Sequence, residues 1–229
     1  MAVAGYRVLA TDYDETLATA GRVERSTLHA LEAVRASGRR LVLVTGRRLD
    51  DLMSVFPATG LFDAIVGENG AILSLPGRPD RLLAPPPPRA LIAALHERSI
   101  PHVAGKVVVA SWAPHGPEVA RVLHELALPL TVVPNKEAVM ILPSGIDKRS
   151  GLAAALEALG ASMQEAVAIG DAENDVAMLR GAGCGAAVAN ALPAVLEAAD
   201  VVATRPRGAG VQEIVKRFLA GDLPASGRG

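Results

Sequence analysis

Short apolar segments of strand length alternate with helical segments along most of the 229-residue chain. Residues 8–11, 40–44 and 166–169 are apolar runs of strand length. Residues 24–37 instead carry Leu and Val at helical spacing, and a glycine follows them. Strands that alternate with helices are joined by right-handed crossovers and form a parallel sheet. The pattern therefore predicts an α/β fold with a Rossmann-like parallel sheet core.

This alternation is interrupted once, after a proline-rich stretch at residues 76–88 that we interpret as a linker. A helix at residues 89–98, a strand over residues 103–112, a helix from Pro117 and two further strands are predicted beyond it. Together they form a small α+β unit, which we interpret as an inserted cap. The predicted domains are a core of residues 1–80 and 144–229 and an α+β cap of residues 81–143.

The balance of charge restricts the possible partners. There are 24 acidic and 23 basic residues, and aromatic residues make up 3% of the chain. The sequence shows no basic stretch with interleaved aromatic residues, so nucleic-acid binding is not expected. No apolar run is long enough to span a membrane, and the first residues lack the features of a signal peptide. Cys184 is the single cysteine, which fits a reducing compartment. We expect a cytoplasmic protein without nucleic-acid or membrane partners, as a monomer or a homodimer.

Four polar clusters each follow an apolar strand or lie where a strand meets a helix. They are Asp12, Asp14 and Thr16; Thr45-Gly46-Arg47; Lys148; and Asp171, Asn174 and Asp175. Because parallel strands end at the same edge of a sheet, we expect the four clusters to face one crevice. Carboxylates without histidine or cysteine ligands form a hard oxygen site, which suits Mg²⁺. Lysine, hydroxyl and backbone amide groups suit an anion that carries charge on several oxygens.

These residue types indicate phosphoryl chemistry. A carboxylate can attack phosphorus and form an acyl phosphate, which divides one slow hydrolysis into two easier steps. A second acid two residues along can protonate the leaving oxygen and later deprotonate the attacking water. The alternatives are structural: Asp171 and Asp175 as helix caps, Lys148 and Arg47 as solvated charges, and Asn69 as a residue of a hairpin turn.

The four clusters, in this order, resemble the four motifs of the haloacid dehalogenase (HAD) superfamily of phosphatases. The placement of the insert and the Gly67-Glu68-Asn69-Gly70 loop before it resemble the Cof-like branch with a type IIB α+β cap. The resemblance extends from Arg7 to about Phe218. It implies a phosphoric monoester hydrolase that uses Mg²⁺ and an aspartyl-phosphate intermediate. Its substrate would be a small phosphorylated metabolite of the sugar phosphate or phosphoglycolate type.

The resemblance also implies four catalytic residues: Asp12, Asp14, Thr45 and Lys148. Asp12 would be the nucleophile, and Asp14 the general acid and base. Thr45 would hold the phosphoryl oxygens, and Lys148 would neutralise charge on the nucleophile and the phosphate.

Binding residues are implied in the same way. The substrate-binding residues would be Thr45, Gly46, Arg47, Asn69, Lys148 and Asn174. The Mg²⁺ ligands would be Asp12, Asp14 through its backbone carbonyl, Asp171, and Asp175 directly or through water.

Glu15 departs from the family pattern, which usually has glycine at this position. Because glutamate does not easily adopt a positive φ, we predict that the turn here has an ordinary right-handed helical conformation.

Two other functions remain open. A phosphomutase of the same superfamily would need basic residues in the cap to bind two phosphates, and a phospho-acceptor binding module would need no cap. Five cap residues are candidates for contact with the substrate, although each also suits a structural or solvated position: His102, Lys106, Trp112, His115 and Lys136.

Overall fold

The computed structural model describes residues 5–224; residues 1–4 and 225–229, which the sequence assigns to the predicted core, lie outside the described part. The strands are β1 (Val8–Thr11), β2 (Arg40–Val44), β3 (Ala64–Gly67), β4 (Ile72–Ser74), β5 (Arg81–Leu82), β6 (His102–Ala104), β7 (Val109–Trp112), β8 (Leu130–Asn135), β9 (Ala138–Pro143), β10 (Ala166–Gly170), β11 (Cys184–Ala187) and β12 (Val201–Val202). The α-helices are α1 (Arg25–Ala36), α2 (Leu49–Val55), α3 (Arg89–Glu97), α4 (Gly116–Glu125), α5 (Lys148–Ala158), α6 (Val176–Gly181), α7 (Pro193–Ala198) and α8 (Arg207–Ala220).

Two sheets organise these elements. The larger has the strand order β12-β11-β10-β1-β2-β3-β4-β5, and the smaller has the order β6-β7-β9-β8. Neighbouring strands from β12 to β3 pair in parallel, whereas β4 and β5 add an antiparallel edge. The prediction of an α/β fold with a parallel core sheet is therefore confirmed.

Strand β1 lies at the centre of the large sheet, and every one of its residues is buried. Leu9 packs into the hydrophobic cluster on one face, and Val8 and Ala10 pack into the cluster on the other. A strand covered on both faces needs apolar side chains in succession rather than in alternation. In register, Thr11 lies beside Leu43 of β2 and Ile169 of β10, so the segments that follow all three strands meet at one edge.

The small sheet is packed on both sides. Helices α3 and α4 cover one face through a cluster that includes Leu91, Leu95, Val119 and Val122. Towards the large sheet, Val108, Met140 and Leu142 pack with Leu49 and Ile72 in a second cluster. The small sheet therefore lies above the edge where the central strands end.

One predicted strand is wrong. Residues 103–112 form two antiparallel strands, β6 and β7, rather than a continuous one. The backbone amides of Lys106, Val107 and Val108, between these strands, donate to the side chain of Glu68 instead of to a neighbouring strand. Within the proline-rich stretch, β5 pairs with β4 of the large sheet, and no strand was expected there. The division into residues 1–80 and 144–229 and a cap of residues 81–143 stays a prediction.

Among the described helices, none combines the length and the apolar character needed to cross a bilayer.

Candidate active site

Three carboxylates meet at the carboxyl edge of the large sheet. Asp12 follows β1, and Asp171 and Asp175 follow β10. All three are buried, and one carboxylate oxygen from each lies within 4.8 Å of the others. Carboxylates this close repel one another and lose solvation, so they require a cation. The structure brings together three of the four residues that were expected to hold Mg²⁺.

Lys148 supplies part of the positive charge. Its Nζ donates to Asp12 Oδ1 and to Asp175 Oδ1 at 2.6 Å each, and its side chain is 2% exposed. Burial opposes the charge on this lysine, but attraction by the two carboxylates outweighs burial and raises its pKa above the ordinary value. The ammonium is therefore the fixed charge of the cluster.

The position of Lys148 follows from how α5 begins. Asp147 caps the helix, accepting from the Ser150 amide at 2.7 Å. A Cβ built on Gly151 would lie 2.5 Å from the Cα of Gly70, so only glycine allows this approach of the helix to the loop after β3. The N-cap at Asp147 and the close packing at Gly151 together place Lys148 beside Asp12.

The three carboxylates differ in how many hydrogen bonds their oxygens already accept, and therefore in how readily they can bind a metal. Asp175 Oδ2 accepts from the backbone amides of Asp171 and Ala172 at 3.0 Å each, and its other oxygen holds Lys148. Asp171 accepts from Thr16 Oγ1 and from Lys136 Nζ at 2.8 Å each. Burial raises the pKa of Asp171, although the Lys136 and Thr16 hydrogen bonds oppose the shift. Hard oxygen donors at this spacing fit a divalent cation such as Mg²⁺, whose charge Asp171 and Asp12 can balance most directly.

The acid–base equilibrium of Asp12 is strongly perturbed. Burial raises its pKa from 3.8 to about 8, Lys148 opposes that shift, and repulsion from Asp175 and Asp171 adds to it. A strongly perturbed carboxyl in a cleft, beside a specific charge partner, is a typical candidate for a functional residue.

The Asp14 side chain lines the same cavity as Asp12 and pairs with Arg47. The Arg47 guanidinium donates from Nε and Nη2 to the two Asp14 oxygens at 2.8 Å each, and from Nη1 to Asp51 at 2.6 Å. It also lies over the ring of Tyr13, 5.5 Å from the centroid. The hydrogen bonds that Arg47 donates to Asp14 and Asp51 raise its pKa further above the ordinary value, and burial opposes this shift. Arg47 therefore orients Asp14, which is a contact that sequence reasoning did not find.

A second group of polar atoms lies where a phosphoryl group was expected. Thr45 is fully buried, and its Oγ1 accepts from the Arg47 amide at 3.1 Å, so its own proton remains available to donate. Asn174 Nδ2 donates to Asn69 Oδ1 at 2.8 Å. The Asn174 Oδ1 atom is buried and has no hydrogen-bond donor among the described residues. An unsatisfied buried acceptor is costly, which indicates a polar partner that arrives with a ligand.

The expected conformation of Glu15 is wrong. Its φ is 60°, in the left-handed region, where glycine has no steric cost. Three contacts hold it there: Arg207 Nε donates to Glu15 Oε2 at 2.6 Å, Asn190 Nδ2 donates to the Glu15 carbonyl at 2.9 Å, and the Ala20 amide donates to Oε1 at 3.3 Å. These contacts offset the steric strain of the left-handed conformation, which the prediction from residue type did not take into account.

Both sheets contribute to the cavity in front of Asp12, which has a volume of about 340 Å³. Asp12, Gly46 and Lys148 line it from the core, and Asn135 and Lys136 line it from the β8–β9 hairpin. A Cβ on Gly46 would lie 3.6 Å from Asn135 Nδ2, so the hairpin closes over this end of the site. Sequence reasoning gave no reason to favour Lys136, because its position depends on how the small sheet sits on the large one.

Of the other cap candidates, two have structural partners. His102 Nδ1 lies 2.9 Å from the Ile100 carbonyl oxygen, and Lys106 Nζ donates to Asp80 at 3.0 Å. Trp112 is exposed and lines a neighbouring cavity of about 540 Å³ that also includes Lys136. His115 ends the short turn before α4 and does not line the cavity around Asp12.

Known proteins resemble this chain in sequence and in fold. A haloacid dehalogenase-like hydrolase family profile matches residues 9–79 and 120–215. A phosphoglycolate phosphatase from Methanothermobacter thermautotrophicus is 30% identical, with 93% of this chain and 99% of that protein covered. A phosphoglycolate phosphatase from Halorubrum lacusprofundi is 34% identical, with 85% and 89% covered.

Solved structures share the fold at lower sequence identity. A sugar phosphatase of HAD subclass IIB superposes with a TM-score of 0.77 at 21% identity, with 93% of this chain and 98% of that chain covered. A protein from Thermoplasma acidophilum superposes with a TM-score of 0.80 at 17% identity, with 94% and 99% covered. The extent of the profile match and the full-length relatives show that this chain belongs to the haloacid dehalogenase-like hydrolase family.

Proposed function

We propose that this protein is an Mg²⁺-dependent phosphatase that hydrolyses a small phosphorylated metabolite through an aspartyl phosphate on Asp12. One observation carries the proposal: Asp12 lies at the cavity, with Lys148 2.6 Å from one of its oxygens and with Asp171 and Asp175 beside it. This arrangement would supply a nucleophile, a fixed cation and carboxylate ligands for a metal within one cavity.

The phosphoryl group would be bound by groups that already lie together. Lys148 carries a permanent charge, Thr45 has a free hydroxyl proton, and Gly46 lines the cavity without a side chain. Mg²⁺ held by Asp12, Asp171, Asp175 and the Asp14 carbonyl would neutralise charge on the phosphoryl oxygens.

Hydrolysis would then take two steps. In the first, the Asp12 oxygen that does not bind Lys148 attacks phosphorus, the bond to the leaving oxygen breaks, and Asp14 gives that oxygen a proton. In the second, a water attacks the same phosphorus, Asp14 takes its proton, and the bond to Asp12 breaks to release inorganic phosphate. Asp14 lines the cavity, and its bidentate pairing with Arg47 holds it in place between the two proton transfers.

The proposed substrates are phosphomonoesters of the phosphoglycolate or sugar phosphate type. Support comes from the relatives named as phosphoglycolate phosphatases and from a cavity of about 340 Å³, which suits a small molecule.

The alternatives are less well supported. A phosphomutase has to hold a second phosphate, yet among the described residues that line the cavity the small sheet contributes one cationic side chain, Lys136. A phospho-acceptor module does not account for a second sheet that closes over the site.

A phosphate-release screen over phosphoglycolate, sugar phosphates and nucleotides, with and without Mg²⁺, tests the proposal. We expect turnover of at least one small phosphomonoester that requires the cation and is lost in Asp12→Asn. An absence of turnover with every ester, or activity that survives in Asp12→Asn, would contradict it.

A further inference from the structure

The tip of the β8–β9 hairpin places a lysine against a carboxylate of the acidic cluster. Lys136 Nζ lies 2.8 Å from Asp171 Oδ2; the Lys136 side chain is 36% exposed, and that of Asp171 is 2% exposed. The pairing of Asn135 with Ala138 leaves Lys136 and Glu137 as the turn, in which Lys136 has a φ of 54°. A lysine in this conformation is strained where glycine is not.

The three cationic side chains that line the cavity differ in how firmly they are held. Lys148 lies between Asp12 and Asp175, and Arg47 is bound by Asp14 and Asp51. Lys136 pairs with a single carboxylate, Asp171. Asp171 is also one of the three carboxylates that fit a divalent cation. A cation bound there competes for the same carboxylate and repels the Lys136 ammonium, so metal binding displaces Lys136 from Asp171.

A freed Lys136 still lies in the cavity wall. The surrounding residues contributed by the small sheet are Ala110, Asn135 and Met140, of which Asn135 is polar and none is charged. Asp12, Gly46 and Lys148 line the cavity from the core, and the leaving oxygen lies in line with the attacking Asp12 oxygen on the opposite side of phosphorus. The hairpin of the small sheet therefore faces the part of the substrate that leaves. An anionic group on that part would find in Lys136 its one partner of opposite charge among the described side chains that the small sheet adds to the cavity.

We propose that Lys136 is a specificity-determining residue, which moves from Asp171 when the divalent cation binds and then holds a carboxylate on the leaving group of the substrate. This inference rests on the proposed phosphatase function and narrows it to phosphomonoesters with an acidic leaving group. Neutral leaving groups of the same size lack this contact and bind less tightly.

Binding of two non-hydrolysable phosphonates tests the inference without turnover. The ligands are 3-phosphonopropionate, which ends in a carboxylate, and 3-hydroxypropylphosphonate, which has a hydroxyl in its place. Titration calorimetry with saturating Mg²⁺ gives both dissociation constants for the wild type, Lys136→Met and Lys136→Arg. Lys106→Met is the matched control, because this lysine also belongs to the cap but pairs with Asp80 outside the cavity.

We expect the wild type and the Lys106→Met variant to prefer the carboxylate by about tenfold, the effect of one charge-assisted contact. Lys136→Met loses that preference without weaker binding of the hydroxyl ligand, and Lys136→Arg keeps part of it. Mg²⁺ alone binds several-fold more tightly to Lys136→Met than to the wild type, because no ammonium has to be displaced.

The inference is overturned by no preference in the wild type, by a preference that survives in Lys136→Met, or by an Mg²⁺ affinity that is the same in Lys136→Met and the wild type. A loss of binding for both ligands would also overturn it, since that indicates a purely structural lysine. If the wild type hydrolyses no phosphomonoester, the proposed function fails, whereas the preference between the two phosphonates still decides the role of Lys136.

Discussion

Single residues at this site combine strain with compensating contacts. Glu15 has a left-handed backbone between Asp14 and Thr16, and Arg207, which holds its side chain, is itself left-handed with a φ of 50°. Asn190 links the two, since it donates to the Glu15 carbonyl and accepts from the Arg207 amide. The turn that carries Asp12 and Asp14 is thereby tied to the start of α8. Strain retained beside a candidate nucleophile is consistent with a functional turn.

Two substitutions of Glu15 distinguish the cost of its left-handed backbone from the contribution of its ion pair with Arg207. Glu15→Ala and Glu15→Gly both lose the contact with Arg207, but only glycine adopts a φ of 60° without steric cost. We expect the glycine variant to have a free energy of unfolding about 1 kcal/mol higher than the alanine variant. Urea denaturation of the two proteins checks this, and an alanine variant of equal or greater stability would show that the left-handed conformation is not retained.

The loop after β3 connects the two sheets through a single side chain. Glu68 is buried, and its carboxylate accepts from the amides of Lys106, Val107 and Val108 at 2.8–2.9 Å. A Cβ on Gly105 would lie 2.5 Å from that carboxylate, so a larger residue would have to displace the Glu68 side chain from these amides. The next residue, Asn69, binds Asn174 in the site. Through Glu68 this loop binds the hairpin between β6 and β7, and through Asn69 it binds Asn174 at the candidate active site.

Glu68→Ala should release the hairpin between β6 and β7. Three amides, of which those of Val107 and Val108 are buried, would lose their acceptor, which we expect to cost about 2–4 kcal/mol. Hydrogen exchange followed by mass spectrometry should show faster exchange at residues 105–108, with β1 and β10 unchanged. Glu32→Ala, at an exposed position in α1, is the control. Protection at residues 105–108 that matches the wild type would contradict this role of Glu68.

For the molecule as a whole, periodicity predicted most elements but not their contacts. The strand predicted at residues 40–44 is β2, and the helix predicted at residues 24–37 corresponds to α1, because buried strands and amphipathic helices carry their pattern locally. The four clusters meet at one edge, as parallel topology requires. The pairs Lys136–Asp171 and Arg47–Asp14 form only when distant segments pack together, and no local pattern encodes those distances.

A metal that binds the folded site should stabilise the whole protein. At 100 times its dissociation constant, Mg²⁺ is expected to raise the free energy of unfolding by about 2.7 kcal/mol, because the unfolded chain does not bring the three carboxylates together. Thermal denaturation with and without Mg²⁺ measures the effect. Asp171→Asn should remove most of it, whereas Asp50→Asn, at an exposed position in α2, should leave it intact. An equal stabilisation of all three proteins would contradict binding at the acidic cluster.

The most direct test of the account is to trap the phosphorylated residue. Enzyme that is turning over a phosphomonoester with Mg²⁺ is quenched and treated with borohydride, which reduces an acyl phosphate and leaves homoserine in place of the attacked aspartate. Tandem mass spectrometry of the tryptic peptide of residues 8–22 distinguishes Asp12 from Asp14. The account predicts homoserine at position 12 in the wild type and none in Asp12→Asn. Homoserine at position 14, or phosphate release by an enzyme without any reduced aspartate, would contradict it.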